Sequence, residues 1–443
     1  MTPPYQSPYQ GYVYAYPHKT AYRPLSPRPA LRDVWAAEDR SALFLYLHVP
    51  FCEMRCGFCN LFTRTGAPES LTEAYLGALD RQARAVADGL GPLTPGTASF
   101  ASVAFGGGTP TYLTAAELDA LCDIASRFAD LGAVPFGVEA SPATATADRL
   151  TVLKDRGVTR LSLGVQSFLD AEAHAAGRPQ QRALVESALD RIRSAGFATL
   201  NIDLIYGIAG QTAATWAQSL DAALAWKPEE VYLYPLYVRP LTGLGRREVP
   251  LLGGAAAAGD ERLSLYRQGR DHLLAAGYEQ VSMRMFRRLG APVASTAYSC
   301  QEDGMVGLGS GARSYTSGLH YSFEYAVEIG HVRRIIDDYI ATDDFSTAAV
   351  GFALSEGERR RRHLIQSLLQ AEGTDRSFYK KRFSADPWAD FADELAPLAD
   401  VGWVTRDASA IRLTAEGLGW SDAIGPALFS PDVRSLMDGY QAQ

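Results

Sequence analysis

Between Leu43 and Pro235, short apolar runs alternate with segments of helical periodicity, and this constrains the fold more than any other feature of the chain. Leu43–Val49, Ser102–Phe105, Pro135–Ala140, Arg160–Val165, Thr199–Ile205 and Glu230–Pro235 read as six strands. Leu71–Leu90, Ala115–Leu131, Ala147–Asp155, Arg182–Ala195 and Ala213–Trp226 read as the helices between them. Such alternation calls for parallel strands joined by crossover helices. Right-handed crossovers wind the strands into a barrel or part of one. The expected fold is α/β: a partial parallel (β/α)6 barrel with a C-terminal helical, winged-helix-like domain. Ligands of such barrels gather at the C-terminal ends of the strands.

The pattern loosens after Tyr237. A helix is expected at Asp260–Ala276, a glycine-rich stretch follows at Gly304–Gly318, and a new helical region begins near Ser355. The run Glu358-Arg-Arg-Arg-Arg362 reads as a solvated helix face. Helix Phe391–Ala399 and strands Trp403–Arg406 and Ala410–Thr414 resemble a winged helix, read here as a lid. The division expected is an arm at 1–40, the barrel at 41–240, a barrel extension at 241–345 and the lid at 346–443. The first 30 residues are rich in Tyr and Pro. Proline-rich tails are usually extended and mobile; the tyrosines allow a second reading, an arm packed along the body that helps cover a site.

Composition excludes several classes. The 443 residues carry 50 acids against 42 bases, a formal charge of −8, which argues against a nucleic-acid partner. Five cysteines are too few, and an odd number, for a disulfide scaffold. No secretory signal and no membrane-spanning run is legible, so a cytoplasmic monomer is the expectation.

Three of the five cysteines fall within eight residues, Cys52-Glu-Met-Arg-Cys56-Gly-Phe-Cys59, at the end of the first expected strand. Structural zinc usually takes four ligands in two pairs, and no second pair exists here. His48 is a conceivable fourth ligand, but a histidine within a strand is more often packed. Three thiolates suit a [4Fe–4S] cluster held at three irons, with the fourth open to an exogenous ligand. Cys122 reads as a core residue and Cys300 as structural.

This C-x3-C-x2-C loop after a first strand resembles the radical S-adenosylmethionine (SAM) superfamily, in the branch that contains oxygen-independent coproporphyrinogen III oxidase. The resemblance implies a [4Fe–4S] cluster on Cys52, Cys56 and Cys59, the catalytic centre, with SAM on the open iron. Reductive cleavage of SAM would yield a 5′-deoxyadenosyl radical, with an electron donor such as flavodoxin or ferredoxin. It also implies a SAM site. Tyr46 and Phe58 would flank the cluster and adenine. Gly107, Gly108 and Thr109, in Phe105-Gly-Gly-Gly-Thr-Pro110, would meet the methionine end. Glu139, Gln166, Arg178 and Asp203 would hold carboxylate and ribose, and Tyr237 matches a position that can hold a second SAM.

The pattern also departs from that branch. Coproporphyrinogen oxidases carry another cysteine two residues past the third cluster cysteine, where this chain has Leu61. Related haem-trafficking proteins have an Asn and Tyr-Trp segment where this chain reads Ser295-Thr-Ala-Tyr-Ser-Cys-Gln-Glu-Asp-Gly304. The loop Val306–Ser314 does resemble the branch and is expected to line the substrate side. The methyltransferases and cyclopropanases of this branch share the layout and use two SAM molecules. Tyr232, Tyr234, Tyr237, Tyr298 and Tyr315 would shape an aromatic pocket, or simply pack. The expected activity is therefore methyl or methylene transfer to a carbon of a small-molecule or peptide substrate. Oxidative decarboxylation or another hydrogen abstraction is the alternative, and a haem-binding chaperone the non-enzymatic one.

Overall fold

The computed structural model describes residues 5–93, 98–247, 260–292 and 302–440. Strands β1 (Arg40–Val49), β2 (Ala98–Gly107), β3 (Phe136–Ala140), β4 (Arg160–Gln166), β5 (Thr199–Tyr206) and β6 (Glu230–Pro235) pair in parallel and in sequence order. The long helices Glu69–Leu90, Ala115–Ala125, Ala147–Asp155, Arg182–Ala195 and Ala213–Ala225 connect them. The helix expected to reach Leu131 ends at Ala125, and the chain continues in turns.

Period-two alternation sorts the side chains of every strand. Leu43, Leu45, Leu47, Val138, Leu161, Leu163, Ile202, Leu204, Val231 and Leu233 all fall in one buried core. The other set, including Tyr46, His48, Glu139, Ser162, Asn201, Asp203, Tyr232 and Tyr234, faces the lumen. Register carries that set across the sheet: Glu139 pairs with Ser162, Ser162 with Asn201, and Asp203 with Tyr232.

The glycine-rich stretch contributes more than loops. Met305–Leu308 (β9) is a seventh parallel strand, paired with β1, and Arg313–Tyr315 (β10) and Leu319–Ser322 (β11) follow it antiparallel. Gly307 is required there: a Cβ would sit 2.1 Å from the Arg313 carbonyl oxygen. Val350–Ala353 (β12) and the arm's Arg23–Pro24 extend this edge. At the other edge, Tyr278–Gln280 (β7) and Met285–Arg288 (β8) run antiparallel to β6. Among the described residues, the outermost of the thirteen strands do not pair with each other, so the barrel is partial.

The C-terminal part has its own core of Leu364, Ile365, Leu368, Tyr379, Trp403, Trp420 and Ile424. Tyr16 of the arm is fully buried within it, and its hydroxyl meets Glu358 and accepts from the Ser430 N–H. The arm is therefore packed along the body. Its proline content suggested mobility, but Tyr9, Tyr16 and Tyr22 find buried positions across the molecule. The arginine run also departs from expectation. Arg362 is fully buried, donating to the Thr316 carbonyl and facing Glu302, while Arg361 pairs with Glu394. Those partners are distant in sequence, so the run alone shows only a charged helix. Among the described residues, no helix is long and apolar enough to cross a membrane.

Candidate functional site

The cysteine loop leaves β1 at its C-terminal end, and neighbouring loops grip it through the backbone. The Gly57 N–H donates to the Gly177 carbonyl at 3.0 Å, and the Leu244 N–H to the Gly57 carbonyl at 2.7 Å. A Cβ on Gly57 would come within 2.8 Å of the Ala176 carbonyl oxygen, so the approach needs glycine. Cys52 is buried, while Cys56 and Cys59 are half-buried. Burial pushes the Cys52 thiol up to about 12, with Cys59 and Cys56 adding to the rise. Neighbouring thiols thus oppose ionisation of Cys52, which a bound cation would favour. The Thr109 hydroxyl donates to Cys52 Sγ at 3.4 Å, and Arg178 Nη1 to Cys56 Sγ at 3.6 Å. Among the described residues, no three His, Cys, Asp or Glu side chains converge on a point where one metal ion would sit. A four-iron cluster instead gives each thiolate its own iron, so this donor set fits the cluster.

The glycine loop braces this arrangement. The Gly108 N–H donates to the Val49 carbonyl and the Thr109 N–H to the Phe51 carbonyl, each at 2.8 Å. The Gly107 N–H donates to Glu139 Oε2 at 3.1 Å, and a Cβ on Gly107 would strike the His48 ring at 2.4 Å. His48 is thus a packed histidine. It sits between Gly107 and Gly311, meets the Phe62 carbonyl at 3.2 Å, and is driven down to about 4 by burial.

Deeper in the lumen, Glu139 is accessible yet walled by protein. That enclosure, with Asp203 nearby, pushes its carboxyl up to about 7. Burial likewise raises Asp203 to about 6, against the Asn201 amide donating at 2.7 Å. The buried Asn201 amide oxygen has no hydrogen-bond donor. Gln166 adopts a φ of 68°, a left-handed conformation that is costly for a non-glycine residue and clusters at functional sites. Carboxylates short of donors and an orphaned amide oxygen suit a ligand rich in hydroxyls and an ammonium, as SAM is.

The structure thus gathers the three cysteines, Tyr46, Gly107, Gly108, Thr109, Glu139, Gln166, Arg178 and Asp203 around one end of the sheet. Phe58 packs beside them against a small apolar cluster that includes Ala176, Ile205 and Leu236. Tyr237 is engaged elsewhere: its hydroxyl donates to Asp422 Oδ2 at 2.5 Å, and Arg239 lies over its ring. Cys122 is a buried core residue, as expected. Tyr298 and Cys300 lie outside the described residues.

A cavity of about 130 Å³ opens beside the cysteine loop, lined by Lys19, Tyr46, His48, Leu61, Phe62, Gly107, Glu139, Gly311, Arg313 and Tyr325. Gly311 and Arg313 come from the loop that the sequence placed on the substrate side. Lys19 was not anticipated. Its only signal was the run of arm tyrosines around it.

Comparison with known proteins agrees with this geometry. The Radical SAM superfamily model matches residues 46–223, and the HemN C-terminal domain model matches 354–420. The oxygen-independent coproporphyrinogen III oxidase of Cereibacter sphaeroides is 31% identical over 366 residues, 78% of this chain and 77% of that protein. The heme chaperone HemW of Bacillus subtilis is 28% identical over 383 residues, 84% of this chain and 95% of that protein. The solved structure of HemN, the coproporphyrinogen III oxidase of Escherichia coli, superposes with a TM-score of 0.78 at 24% identity, covering 94% of this chain and 96% of that one. This chain belongs to the radical SAM superfamily as an enzyme of the HemN type, whose cofactors are a [4Fe–4S] cluster and S-adenosylmethionine.

Proposed function

We propose that this enzyme removes a hydrogen atom from its substrate, leaving a substrate radical that passes one further electron to an external acceptor, in a chamber enclosed by the barrel lumen, the cysteine loop and the N-terminal arm. Oxidative decarboxylation is the closest model. The cluster and SAM, when bound, would supply the one-electron chemistry that takes up the hydrogen atom. Cys52, Cys56 and Cys59 would hold the cluster, and Thr109 and Arg178 would donate to its sulfur ligands. Glu139 would meet the methionine end of SAM, and Asp203 and Asn201 the ribose hydroxyls. Tyr46, Phe62 and Tyr325 wall the cavity and exclude water.

The observation that carries the reading is the cavity itself, which joins the SAM side of the lumen to the cysteine loop and to a wall of cations and aromatics. At about 130 Å³ it is smaller than the roughly 300–1,000 Å³ typical of pockets for a drug-sized ligand, which favours a compact reacting group over a second nucleoside cofactor. Methyl or methylene transfer, the expectation from sequence, finds no counterpart in the oxidases and the chaperone described above. Leu61 also lines the cavity and offers no thiol there, so the substrate need not be a porphyrinogen.

The test is anaerobic reconstitution with iron and sulfide, chemical reduction with SAM, and mass analysis. 5′-Deoxyadenosine and methionine without S-adenosylhomocysteine are expected. S-adenosylhomocysteine formed alongside would restore methyl transfer. A Soret band on haem titration with no 5′-deoxyadenosine would favour the chaperone.

A further inference from the structure

We infer that the N-terminal arm is part of the redox centre: Lys19, together with Thr63, is a positioning residue that sets the reduction potential of the cluster through Cys59. The inference rests on the cluster alone and not on the hydrogen-abstraction reading above.

The other two cluster cysteines are each served by a residue of the expected SAM site, Cys52 by the Thr109 hydroxyl and Cys56 by Arg178. Cys59 is served from elsewhere. The buried Thr63 hydroxyl lies 3.9 Å from Cys59 Sγ, and toward an iron-bound thiolate a hydroxyl can only donate. Lys19 reaches the same stretch of the cysteine loop from the arm. Its Nζ lies 3.5 Å from the Tyr325 ring centre, and the Tyr325 hydroxyl donates at 3.4 Å to the carbonyl of Asn60, the residue after Cys59. Lys19 also shares a cavity with Leu61 and Phe62, the two residues that follow. Tyr16 and Ala21, on either side of Lys19, are buried in the C-terminal core, which fixes the arm at this point.

An enclosed cation without a counter-charge is costly. Other enclosed cations of this protein are matched: Arg262 by Asp260, Arg284 by Asp422, and Arg362 by Glu302. Among the described residues no Asp or Glu pairs with Lys19; the charges that act on it are those of Arg313, which repels it, and Cys59, which attracts it. Glu139, on the same cavity wall, accepts instead from the Gly107 N–H. The counter-charge of Lys19 is therefore the thiolate that would hold the cluster. Cluster potentials follow net charge and hydrogen bonds to the sulfurs, and reduction adds a negative charge. A cation and a donor beside Cys59 both favour the added electron, so both raise the potential. At an effective dielectric of about 20, one unit charge shifts a one-electron couple about tenfold or more out to about 12 Å.

The experiment is an anaerobic redox titration of the full-length, cluster-loaded protein without SAM or substrate. Dithionite supplies the electron, and electron paramagnetic resonance reads the reduced cluster. Lys19→Met is expected to lower the reduced-to-oxidised ratio at a fixed potential about tenfold, which is about 59 mV. Thr63→Val should lower it about threefold, the worth of one hydrogen bond. Lys19→Arg should keep the wild-type ratio, and iron content should not change in any variant. Lys19→Gln, which removes the charge but keeps a polar end, should match Lys19→Met and controls for folding of the arm. A wild-type ratio in Lys19→Met and Lys19→Gln overturns the role of Lys19, and one in Thr63→Val that of Thr63. Loss of iron from both Lys19 variants also overturns the proposal, because Lys19 would then hold the cluster rather than tune it. So does an equal shift in Lys19→Arg, which would trace the effect to packing of the arm. Addition of SAM tests the hydrogen-abstraction reading separately. The expected shift without any 5′-deoxyadenosine would leave the tuning role standing and remove the radical reading. 5′-Deoxyadenosine without the shift would do the reverse.

Discussion

Two regions of this protein enclose carboxylates, and they treat them in opposite ways. In the lumen, Glu139 and Asp203 are held above their usual values by burial, and Glu139 also by its neighbour. At the seam between barrel, arm and C-terminal part, acids are saturated with cations. Glu302 lies 2.9 Å from Arg382, 3.4 Å from Arg362 and 3.5 Å from His363. Burial alone would raise it, but these neighbours outweigh burial and hold it below its usual value. Asp422 pairs with Arg284, accepts from Tyr237, and receives the Gln10 and Gly11 N–H groups of the arm on its carbonyl. Matched acids weld the parts together. Unmatched ones keep their bonding capacity for something that is not protein.

The strongest challenge to this division is Cys56→Ala. It should abolish iron binding and 5′-deoxyadenosine formation while the thermal midpoint barely moves; a variant that unfolds would break the division at the lumen. Glu302→Gln should have the opposite signature. Removing one partner of a buried ion pair typically costs about 3–5 kcal/mol, to be read by denaturant unfolding, with SAM cleavage per folded molecule retained. Asp203→Ala should weaken SAM binding by about 10- to 100-fold, the worth of a charged hydrogen bond of about 1.5–3 kcal/mol, without loss of the cluster. A bleached protein would show that Asp203 belongs to the framework instead.

The smallest effect concerns pH. Glu139 has a folded value near 7, above its usual 4.5, so the native ligand-free protein binds more protons than the unfolded chain across that window. Its contribution to stability therefore falls as pH rises from about 4.5 to about 7. Glu302 has the reverse sign: its stabilisation is present above the usual 4.5 and lost as pH falls through its lowered folded value. In ligand-free protein, Glu139→Gln should raise the melting temperature relative to wild type above pH 7, and Glu302→Gln should lower it. Variants that move together would erase the contrast.

Much of the barrel was legible because its signals are local. Val138 and Glu139, or Ile202 and Asp203, alternate on a strand of period two, so core and lumen faces separate in the sequence itself. The cysteine loop was legible because three thiols in eight residues have no packing rationale. The seventh parallel strand was not, because Gly307 and Gly309 lower strand propensity and their reason is a close approach to residues brought near by folding. The buried Arg362 was hidden for a similar cause: its neighbours Thr316 and Glu302 lie well before it in the chain.

By itself, the sequence determined the α/β alternation, the cluster cysteines and the polar residues at the strand ends. Each of these depends on spacing along one segment. Only the tertiary structure decided that the arm closes over the lumen, that Tyr237 is tied to Asp422, and that Lys19 meets Arg313 across one cavity. Those outcomes depend on burial and on charges matched or left unmatched between segments far apart, and no local pattern encodes the distance between residues 19 and 313.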